Sequence, residues 1–462
     1  MHLHFLGICG TFMGSLAQLA KSAGHRVSGC DANVYPPMST QLQQAGIELI
    51  EGFDSAQLNP APDLIVVGNA LSRGNPCVEY MLDHKLPFTS GPQWLGDNLL
   101  KHKHVLAVSG THGKTSTSSM LAKILDTADY HPGYLIGGVP QDFGISARIG
   151  GTAPDGNNYF VIEADEYDTA FFDKRSKFVH YHSNSLIINN LEYDHADIFD
   201  DLAAIQRQFH HCVRTVPSSG SVIYPADDKA VLEVIDQGCW SQQRSFSMTK
   251  ANWSYELLVD DGSQFTITHH DSGQQAVVNW QHSGIHNVKN AMAAVAAAFE
   301  IGINVQQACD ALSLFVGIKR RMETIYSEQN LTIYDDFAHH PTAIKTTLEG
   351  LRAKVGDAHI VAVIEPRSAT MKLGVHQQAL SSSIVDADQV LWYQNASIDW
   401  DLLSVAKDCD VAVSVTKDIS SLLDSVIQAI TAGQTVNKPI HIVIMSNGGF
   451  EGFHQLLLEK LR

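Results

Sequence analysis

The chain lacks any run of about 18 apolar residues, so no transmembrane helix is predicted. No charged leader is predicted either, since the first residues given, Met-His-Leu-His-Phe-Leu, are typical of a strand. Basic residues are few: 31 Lys and Arg stand against 49 Asp and Glu, for a formal net charge of −18. Nucleic acids and membrane surfaces attract clustered positive charge, so neither is expected as a partner.

Cysteine is also scarce and has no pairing pattern. The seven cysteines, at positions 9, 30, 77, 212, 239, 309 and 409, include no Cys-x-x-Cys pair. Such a dispersed, odd set in a long chain predicts reduced thiols and a cytoplasmic location. With 462 residues, 44% of them hydrophobic, the chain is long enough for about three domains with sizeable cores.

Apolar strands that alternate with amphipathic helices predict an α/β fold of three domains. Residues 1–98 are expected to form a Rossmann-like domain. Residues 99–318 are expected to form a P-loop domain with a parallel sheet, followed between about 240 and 281 by a small antiparallel sheet. Residues 319–462 are expected to form a second Rossmann-like domain.

A glycine loop between a strand and a helix is the main chemical signal. It reads Ser-Gly-Thr-His-Gly-Lys-Thr-Ser over residues 109–116, with two residues rather than four between its glycines. Backbone N–H groups of such a loop hold phosphates, Lys114 would lie against the β- and γ-phosphates, and Thr115 would ligate Mg²⁺. The alternative is a chance Gly-Lys-Thr. The predicted nucleotide contacts here are Gly110, Thr111, His112, Gly113, Lys114, Thr115 and Ser116.

The first strand is followed by a second glycine loop, Gly-Ile-Cys-Gly-Thr-Phe-Met-Gly. It is not a full dinucleotide fingerprint, but a pyrophosphate could lie on the following helix, with Asp31 on a ribose hydroxyl. The alternative is that small residues only allow close packing of strand and helix. The predicted sugar-nucleotide contacts are Gly7, Gly10, Thr11, Phe12, Met13, Gly14 and Asp31.

Two further strand ends in the central unit carry polar clusters. Glu-Ala-Asp-Glu-Tyr-Asp follows one strand, and Glu163 is its best candidate as a Mg²⁺ ligand, the others being explicable as a solvated acidic turn. Asn-Asn-Leu-Glu-Tyr-Asp-His follows the next, where His195 is either a cation or phosphate ligand or a structural histidine. Asn190 and Asp194 would hold substrate or metal.

Later motifs suggest the rest of a nucleotide and substrate cleft. His286, Asn287 and Asn290 could contact an adenine edge, although Asn287 could equally be a helix N-cap. At a strand end of the third unit, Asp336 could bind ribose hydroxyls and His339 or His340 a phosphate, unless this is an ordinary loop. Arg367 is suited to grip a carboxylate.

These motifs, taken in this order, resemble the Mur ligases of peptidoglycan metabolism, whose P-loop has the same compact form. The resemblance covers essentially the whole chain. It implies a ligase that uses ATP and Mg²⁺, the latter held by Thr115, Glu163 and His195, with Lys114, Glu163 and His195 catalytic and Arg320 and Arg321 on phosphate. It also implies an acyl phosphate made on the lactyl carboxylate of UDP-N-acetylmuramate, which an amine then attacks.

Within this family, the loops after the first strand and around Arg367 resemble those of the peptide ligases, which implies the tripeptide L-Ala-γ-D-Glu-meso-diaminopimelate as the amine, with L-alanine as the alternative. No lysine occurs between His195 and Lys229, where ligases of later steps carry a carbamylated lysine. Two other classes remain open at this point. A dehydrogenase would leave Gly-Lys-Thr unexplained, and a P-loop switch or transport ATPase would leave the first glycine loop unexplained.

Overall fold

The computed structural model describes residues 1–34, 38–249, 251–398, 400–403, 411–436 and 438–462, so Cys409 lies outside it. The six described cysteines are free thiols. Among the helices described, none combines the length and the apolarity needed to cross a bilayer. Three principal sheets, of five, ten and six strands, organise the described chain.

The N-terminal sheet is parallel, with strand order β3-β2-β1-β4-β5. Helix α1 buries Met13, Leu16 and Leu19, which share one face because they are three apart. The strands are β1 His2–Leu6, β2 Arg26–Asp31, β3 Glu48–Glu51, β4 Leu64–Val67 and β5 Phe88–Ser90. The helices are α1 Thr11–Ser22, α2 Met38–Gln44, α3 Pro76–Asp83 and α4 Gly91–Leu95.

The central sheet has ten strands, in the order β17-β16-β15-β14-β13-β12-β6-β9-β7-β8, and a separate hairpin joins β10 to β11. The strands are β6 His104–Ser109, β7 Gly133–Leu135, β8 Ala147–Arg148, β9 Tyr159–Glu163, β10 Asp168–Ala170, β11 Asp173–Ser176, β12 Ser185–Ile188, β13 Ser221–Pro225, β14 Gln242–Ser247, β15 Trp253–Leu257, β16 Gln264–His269 and β17 Gln274–Asn279. The helices are α5 Lys114–Thr127, α6 Leu202–Val213, α7 Lys229–Asp236, α8 Ile285–Glu300 and α9 Val305–Ser313.

The C-terminal sheet has the order β18-β19-β23-β20-β21-β22, and only β18 runs antiparallel to its neighbour. The strands are β18 Glu323–Glu328, β19 Leu331–Asp336, β20 His359–Ile364, β21 Gln389–Tyr393, β22 Ala412–Thr416 and β23 Ile440–Met445. The helices are α10 Pro341–Val355, α11 Ala369–Lys372, α12 Gln377–Ser383, α13 Ile419–Val436 and α14 Phe453–Leu461.

The apolar cores divide the molecule unequally. One cluster runs without a break from Leu3 and Leu16 in the N-terminal unit to Val105 and Phe160 in the central one. The two faces of the C-terminal sheet have clusters of their own, drawn from residues after 321. The first two units are therefore joined by apolar packing, whereas the third packs its sheet by itself.

The structure confirms the predicted α/β class and sheet types. Strands β15, β16 and β17 pair antiparallel, as predicted, and they extend the central sheet at one edge. Strand β14, in the same predicted stretch, is instead parallel to both its neighbours. The exact domain boundaries stay a prediction. A π-helical turn over Gly96–Leu100 runs through the boundary placed at 98.

Candidate active site

The compact loop between β6 and α5 depends on two glycines with positive φ. Gly110 has φ +127, and a Cβ there would lie 3.0 Å from the backbone nitrogen of Asn189. Gly113 has φ +80, and a Cβ there would lie 2.3 Å from Asn290 Oδ1. Since L side chains avoid this region, both positions require glycine. The shortened loop is thus packed tightly against the neighbouring strand end and α8.

Lys114, the first residue of α5, is held by oxygen atoms on several sides. Its Nζ donates to Gly110 O at 2.6 Å and to Glu166 Oε2 at 2.9 Å and Oε1 at 3.1 Å. Burial, the largest influence, lowers the pKa of Lys114, but the carboxylates of Glu166 and Asp165 outweigh it and raise the pKa. Lys114 is therefore a cation at neutral pH. Phosphate oxygens at this loop would compete with Glu166 for it.

Glu163 and Thr115 form a second pair at the same strand end. Thr115 Oγ1 donates to Glu163 Oε1 at 3.1 Å, and the Gly137 N–H donates to Glu163 Oε2 at 2.7 Å. Burial raises the pKa of Glu163, because the positive charge near the enclosed carboxylate is too small to offset the loss of solvation. Carboxylate and hydroxyl oxygens facing a cleft are the donors that Mg²⁺ prefers. These two residues fit the predicted metal.

His195 lies in a different group from that pair. Its Nε2 is 3.1 Å from Glu166 Oε1, and His195, Glu166 and Asp165 bring one potential ligand atom each to within 4.8 Å of one another. Burial lowers the pKa of His195, but the bond to Glu166 and the charges of Glu166 and Asp194 raise it overall. Glu166 therefore touches both Lys114 and His195, which joins the P-loop to the loop after β12.

The P-loop also meets the C-terminal unit through imidazoles. His112 Nε2 is 3.0 Å from Glu192 Oε2, and His340 Nδ1 is 3.5 Å from the same oxygen. The His340 ring caps α10 by accepting the Thr342 N–H at 3.2 Å. Burial lowers the pKa of His339 to about 4, so its ring is neutral at pH 7.

The residues predicted to contact adenine sit at the start of α8. This helix begins after Gly284, so Asn287 lies in its first turn and is not the N-cap. Asn287 Nδ2 donates to Ser283 O at 2.8 Å, and Asn290 Oδ1 is 3.5 Å from Asn189 Nδ2. Burial lowers the pKa of His286 to about 4. All three predicted residues line the cleft.

The N-terminal glycine loop is fixed by Asp31, whose Oδ2 accepts the Cys9 N–H at 2.9 Å.

In the C-terminal unit, Arg320 Nη2 donates to Ser446 O at 2.7 Å and Gly448 O at 2.8 Å. Arg321 stacks 4.8 Å from the Phe337 ring centroid. Asp336 is enclosed and accepts the N–H groups of Met322 and Ala338, both at 2.8 Å.

A single cleft of about 2090 Å³ brings these loops together. All but three of the predicted site residues line it. Gly14 is instead packed in α1 under the Met38 sulfur, and Gly110, within the P-loop, packs against Asn189. Arg367 is exposed, and its guanidinium lies where a Cβ on Gly448 would be.

Sequence reasoning missed several residues that the fold brings into this cleft. Asp165, in the predicted acidic turn, lines the cleft and pairs with Lys177, while Glu166 lies behind it and pairs with Lys114. Lys177 and Glu192 were not singled out, and both line the cleft. A lysine beside the apolar run Phe-Val in residues 178–179 was the only local signal for burial of Lys177.

Three family models match consecutive parts of the chain. They describe the catalytic domain of the Mur ligase family over residues 2–103, the Mur ligase middle domain over 108–298, and the glutamate ligase domain over 320–446. The chain therefore belongs to the Mur ligase family. Membership of this family excludes the two other classes considered from the sequence, a dehydrogenase and a P-loop switch or transport ATPase.

Within that family the chain is similar to particular enzymes. It is 50% identical, over 100% of its own length and 99% of the relative, to UDP-N-acetylmuramate–L-alanyl-gamma-D-glutamyl-meso-2,6-diaminoheptandioate ligase of Haemophilus influenzae. It is 49% identical to a murein peptide ligase of Psychrobacter arcticus of known structure, with a TM-score of 0.76 and coverage of 100% and 98%. A UDP-N-acetylmuramate–L-alanine ligase of Desulfitobacterium hafniense is 34% identical over 85% of this chain and 84% of that protein.

Proposed function

We propose that the chain joins the tripeptide L-Ala-γ-D-Glu-meso-diaminopimelate to the lactyl carboxylate of UDP-N-acetylmuramate, at the expense of ATP. The observation that carries the proposal is the single cleft. The N-terminal glycine loop, the P-loop and the loops after β19 and β23 all open into it. Full-length identity of 50% to a tripeptide ligase, against 34% to an alanine ligase, supports the tripeptide as the amine.

The first step makes a leaving group. A carboxylate is a poor acceptor for an amine, so a lactyl oxygen attacks the γ-phosphorus of ATP and ADP departs, which leaves an acyl phosphate. Both reactants are anions. Lys114 would stabilise the charge that spreads over the transferred group, and the P-loop N–H groups would hold the β-phosphate.

Glu163 and Thr115 would hold Mg²⁺, and His195, bonded to the neighbouring Glu166, stays the proposed third ligand. Bound there, the metal ion supplies charge neutralisation for phosphoryl transfer. Arg321 would reach the same region from the C-terminal unit, since its charge acts on both Asp336 and Glu163. The tripeptide amine then attacks the acyl carbon and gives up a proton, the bond between the acyl carbon and the phosphate oxygen breaks, and phosphate leaves as the amide forms. Closure of the cleft keeps water from the acyl phosphate.

Because ATP and nucleotide-sugars are cytoplasmic metabolites, we propose that the enzyme acts in the cytoplasm.

The test is phosphate release from ATP and Mg²⁺ with UDP-N-acetylmuramate plus either the tripeptide or L-alanine. Turnover with the tripeptide, and little with L-alanine, is the expected result. Efficient turnover with L-alanine alone would assign the chain to the other branch. Removal of divalent ions by a chelator should stop turnover, and added Mg²⁺ should restore it.

A further inference from the structure

Lys177 is a buried cation in the cleft to which the mechanism above gives no role. It follows the hairpin β10–β11, and its backbone N–H donates to Tyr167 O at 2.9 Å. This bond closes the hairpin and fixes where the side chain begins. The residue is 7% exposed, yet it lines the large cleft. Lysines are seldom so enclosed unless they are paired.

Contacts from two domains surround the Lys177 ammonium. Nζ lies 2.7 Å from Asp165 Oδ2, at the acidic end of β9. It also lies 5.5 Å from the centroid of the Tyr167 ring and 5.9 Å from that of Phe12, distances at which an aromatic ring attracts a cation. Phe12 belongs to the glycine loop of the N-terminal domain. Lys177 therefore lies between the sugar-nucleotide loop and the P-loop domain.

Two consecutive carboxylates lie between two lysines. Asp165 pairs with Lys177 at 2.7 Å, and the next residue, Glu166, pairs with Lys114 at 2.9 Å. Lys177 is thus linked to the P-loop lysine through neighbouring carboxylates. Among the described residues, Asp165 alone accepts a hydrogen bond from Lys177 Nζ. An ammonium has three donors, so two remain for a ligand in the cleft.

We propose that Lys177 binds the carboxylate of the nucleotide-sugar that is about to be phosphorylated. The inference rests on the proposed function and adds to it the residue that orients the nucleophile. A nucleotide held at Phe12 with its acid directed toward Lys114 must place that acid close to Lys177. The ammonium keeps its proton throughout. The lactyl oxygen forms the new O–P bond, and the bond between the γ-phosphorus and the β-bridging oxygen breaks as ADP leaves.

Charge explains why a second lysine is useful here. Lys114 faces the phosphates, whereas the attacking carboxylate approaches them as a further anion. A cation on the nucleophile's side lowers this repulsion and fixes the carboxylate in line for attack. Asp165 keeps the Lys177 side chain from moving toward the phosphates.

The experiment compares two ligands that differ by the lactyl group, which carries the carboxylate that Lys177 would hold. UDP-N-acetylglucosamine lacks the lactyl acid of UDP-N-acetylmuramate. Binding of both is measured by calorimetry in the presence of Mg²⁺ and a non-hydrolysable ATP analogue. In the unaltered protein the acid should strengthen binding by roughly 10-fold to 100-fold, as expected for a hydrogen bond to a charged group. Lys177→Met should abolish that preference and leave the affinity for UDP-N-acetylglucosamine unchanged.

Lys174→Met is the matched control. Lys174 is on the same hairpin, but its side chain is 71% exposed and pairs with Asp168. This variant should keep the full preference. The double variant Asp165→Asn/Lys177→Met removes both buried charges at once, so it avoids an unpaired carboxylate and should fold without the preference. Lys177→Arg, which retains a cation, should recover most of it.

The inference is overturned if Lys177→Met or the double variant still binds UDP-N-acetylmuramate more tightly than UDP-N-acetylglucosamine. If the unaltered protein turns over UDP-N-acetylmuramate and only this result fails, the proposed function stands and Lys177 has a structural role. If the unaltered protein neither prefers UDP-N-acetylmuramate nor turns it over, the proposed function fails as well.

Discussion

At the scale of single residues, the decisive feature is how buried charges are matched. Glu166 has a side chain only 2% exposed and meets Lys114, whose side chain is 13% exposed. Glu166→Gln keeps the shape but leaves that ammonium without its carboxylate. Breaking a buried pair in this way costs about 3–5 kcal/mol of the free energy of unfolding. Denaturant titration measures this cost.

A surface pair provides the control for Glu166→Gln. Lys229 and Glu233 are one helical turn apart, with side chains 90% and 50% exposed. Glu233→Gln should lower the free energy of unfolding by less than about 1 kcal/mol, because water screens exposed charges. Equal losses in the two variants would show that Glu166 is not an essential partner of Lys114.

His4, which is not part of the cleft lining, is expected to make the stability of the protein depend on pH. It is 2% exposed, and its Nδ1 is 2.8 Å from Ser28 Oγ. Burial, assisted by His2, lowers the pKa of His4 from 6.5 to about 4. Between these values the unfolded chain binds the extra proton and the folded chain does not. Stability is therefore lost as pH falls from 6.5 to 4, by about 3 kcal/mol from this residue.

His4→Asn should remove that part of the pH dependence, because asparagine offers Ser28 a similar hydrogen bond and does not titrate. The measurement is the free energy of unfolding at several pH values between 4 and 7. His270→Asn makes the same exchange at an exposed position bonded to Ser254, and its slope is the reference for that of His4→Asn. A slope unaffected by His4→Asn would contradict the prediction.

At the scale of elements, the P-loop depends on glycine for two separate reasons. Gly113→Ala adds a methyl group where φ is +80 and where Asn290 Oδ1 lies 2.3 Å away. Gly273 has a similar φ of +69, but nothing lies within 4 Å of its would-be Cβ. Gly273→Ala should cost only the backbone conformation, about 1–2 kcal/mol. Gly113→Ala should cost more and also weaken ATP binding, as read from unfolding and nucleotide titration.

The elements also show why some features were predictable. Helix α6 spans Leu202–Val213, as its apolar spacing predicts, and Asp201 caps it through the Ala204 N–H. The P-loop was found because its residues are contiguous. Local patterns of this kind are written in the sequence itself. The hairpin β10–β11 was not predicted, because its strands are too short to show alternation of polar and apolar residues and carry several charged residues.

Contacts between distant segments could not be predicted in the same way. Lys177 meets Asp165 only because the hairpin folds back, and Glu192 meets His112 only because β12 lies beside β6. Arg367 was chosen by residue type, which suits a carboxylate. Its side chain packs against Gly448, which lines the cleft, and its role stays a prediction. Residue type thus indicated chemistry, whereas only tertiary contacts set position.

At the scale of the whole molecule, the C-terminal unit meets the central one mainly through polar contacts. Lys354 Nζ donates to Gln281 O at 2.6 Å. Thr370 Oγ1 donates to Asp194 Oδ1 at 2.7 Å and accepts the Ala196 N–H at 3.3 Å. Because the apolar clusters of this unit are its own, separating it from the central unit exposes little core. We therefore expect closure to be a rigid-body movement controlled by a few hydrogen bonds.

Thr370→Val tests that expectation, since it keeps the side-chain shape and removes the two hydrogen bonds that Thr370 Oγ1 makes across the interface. Losing a hydrogen bond to the Asp194 carboxylate should shift the balance toward open molecules by about tenfold or more. The predicted result is a lower kcat, because chemistry requires the closed cleft, and a larger radius of gyration in X-ray scattering with both nucleotides bound. Thr431→Val removes a hydroxyl that donates to Ile427 O within α13, away from the interface, and should change neither quantity. An unchanged radius with a reduced kcat would mean that Thr370 acts on the loop of Asp194 and not on closure.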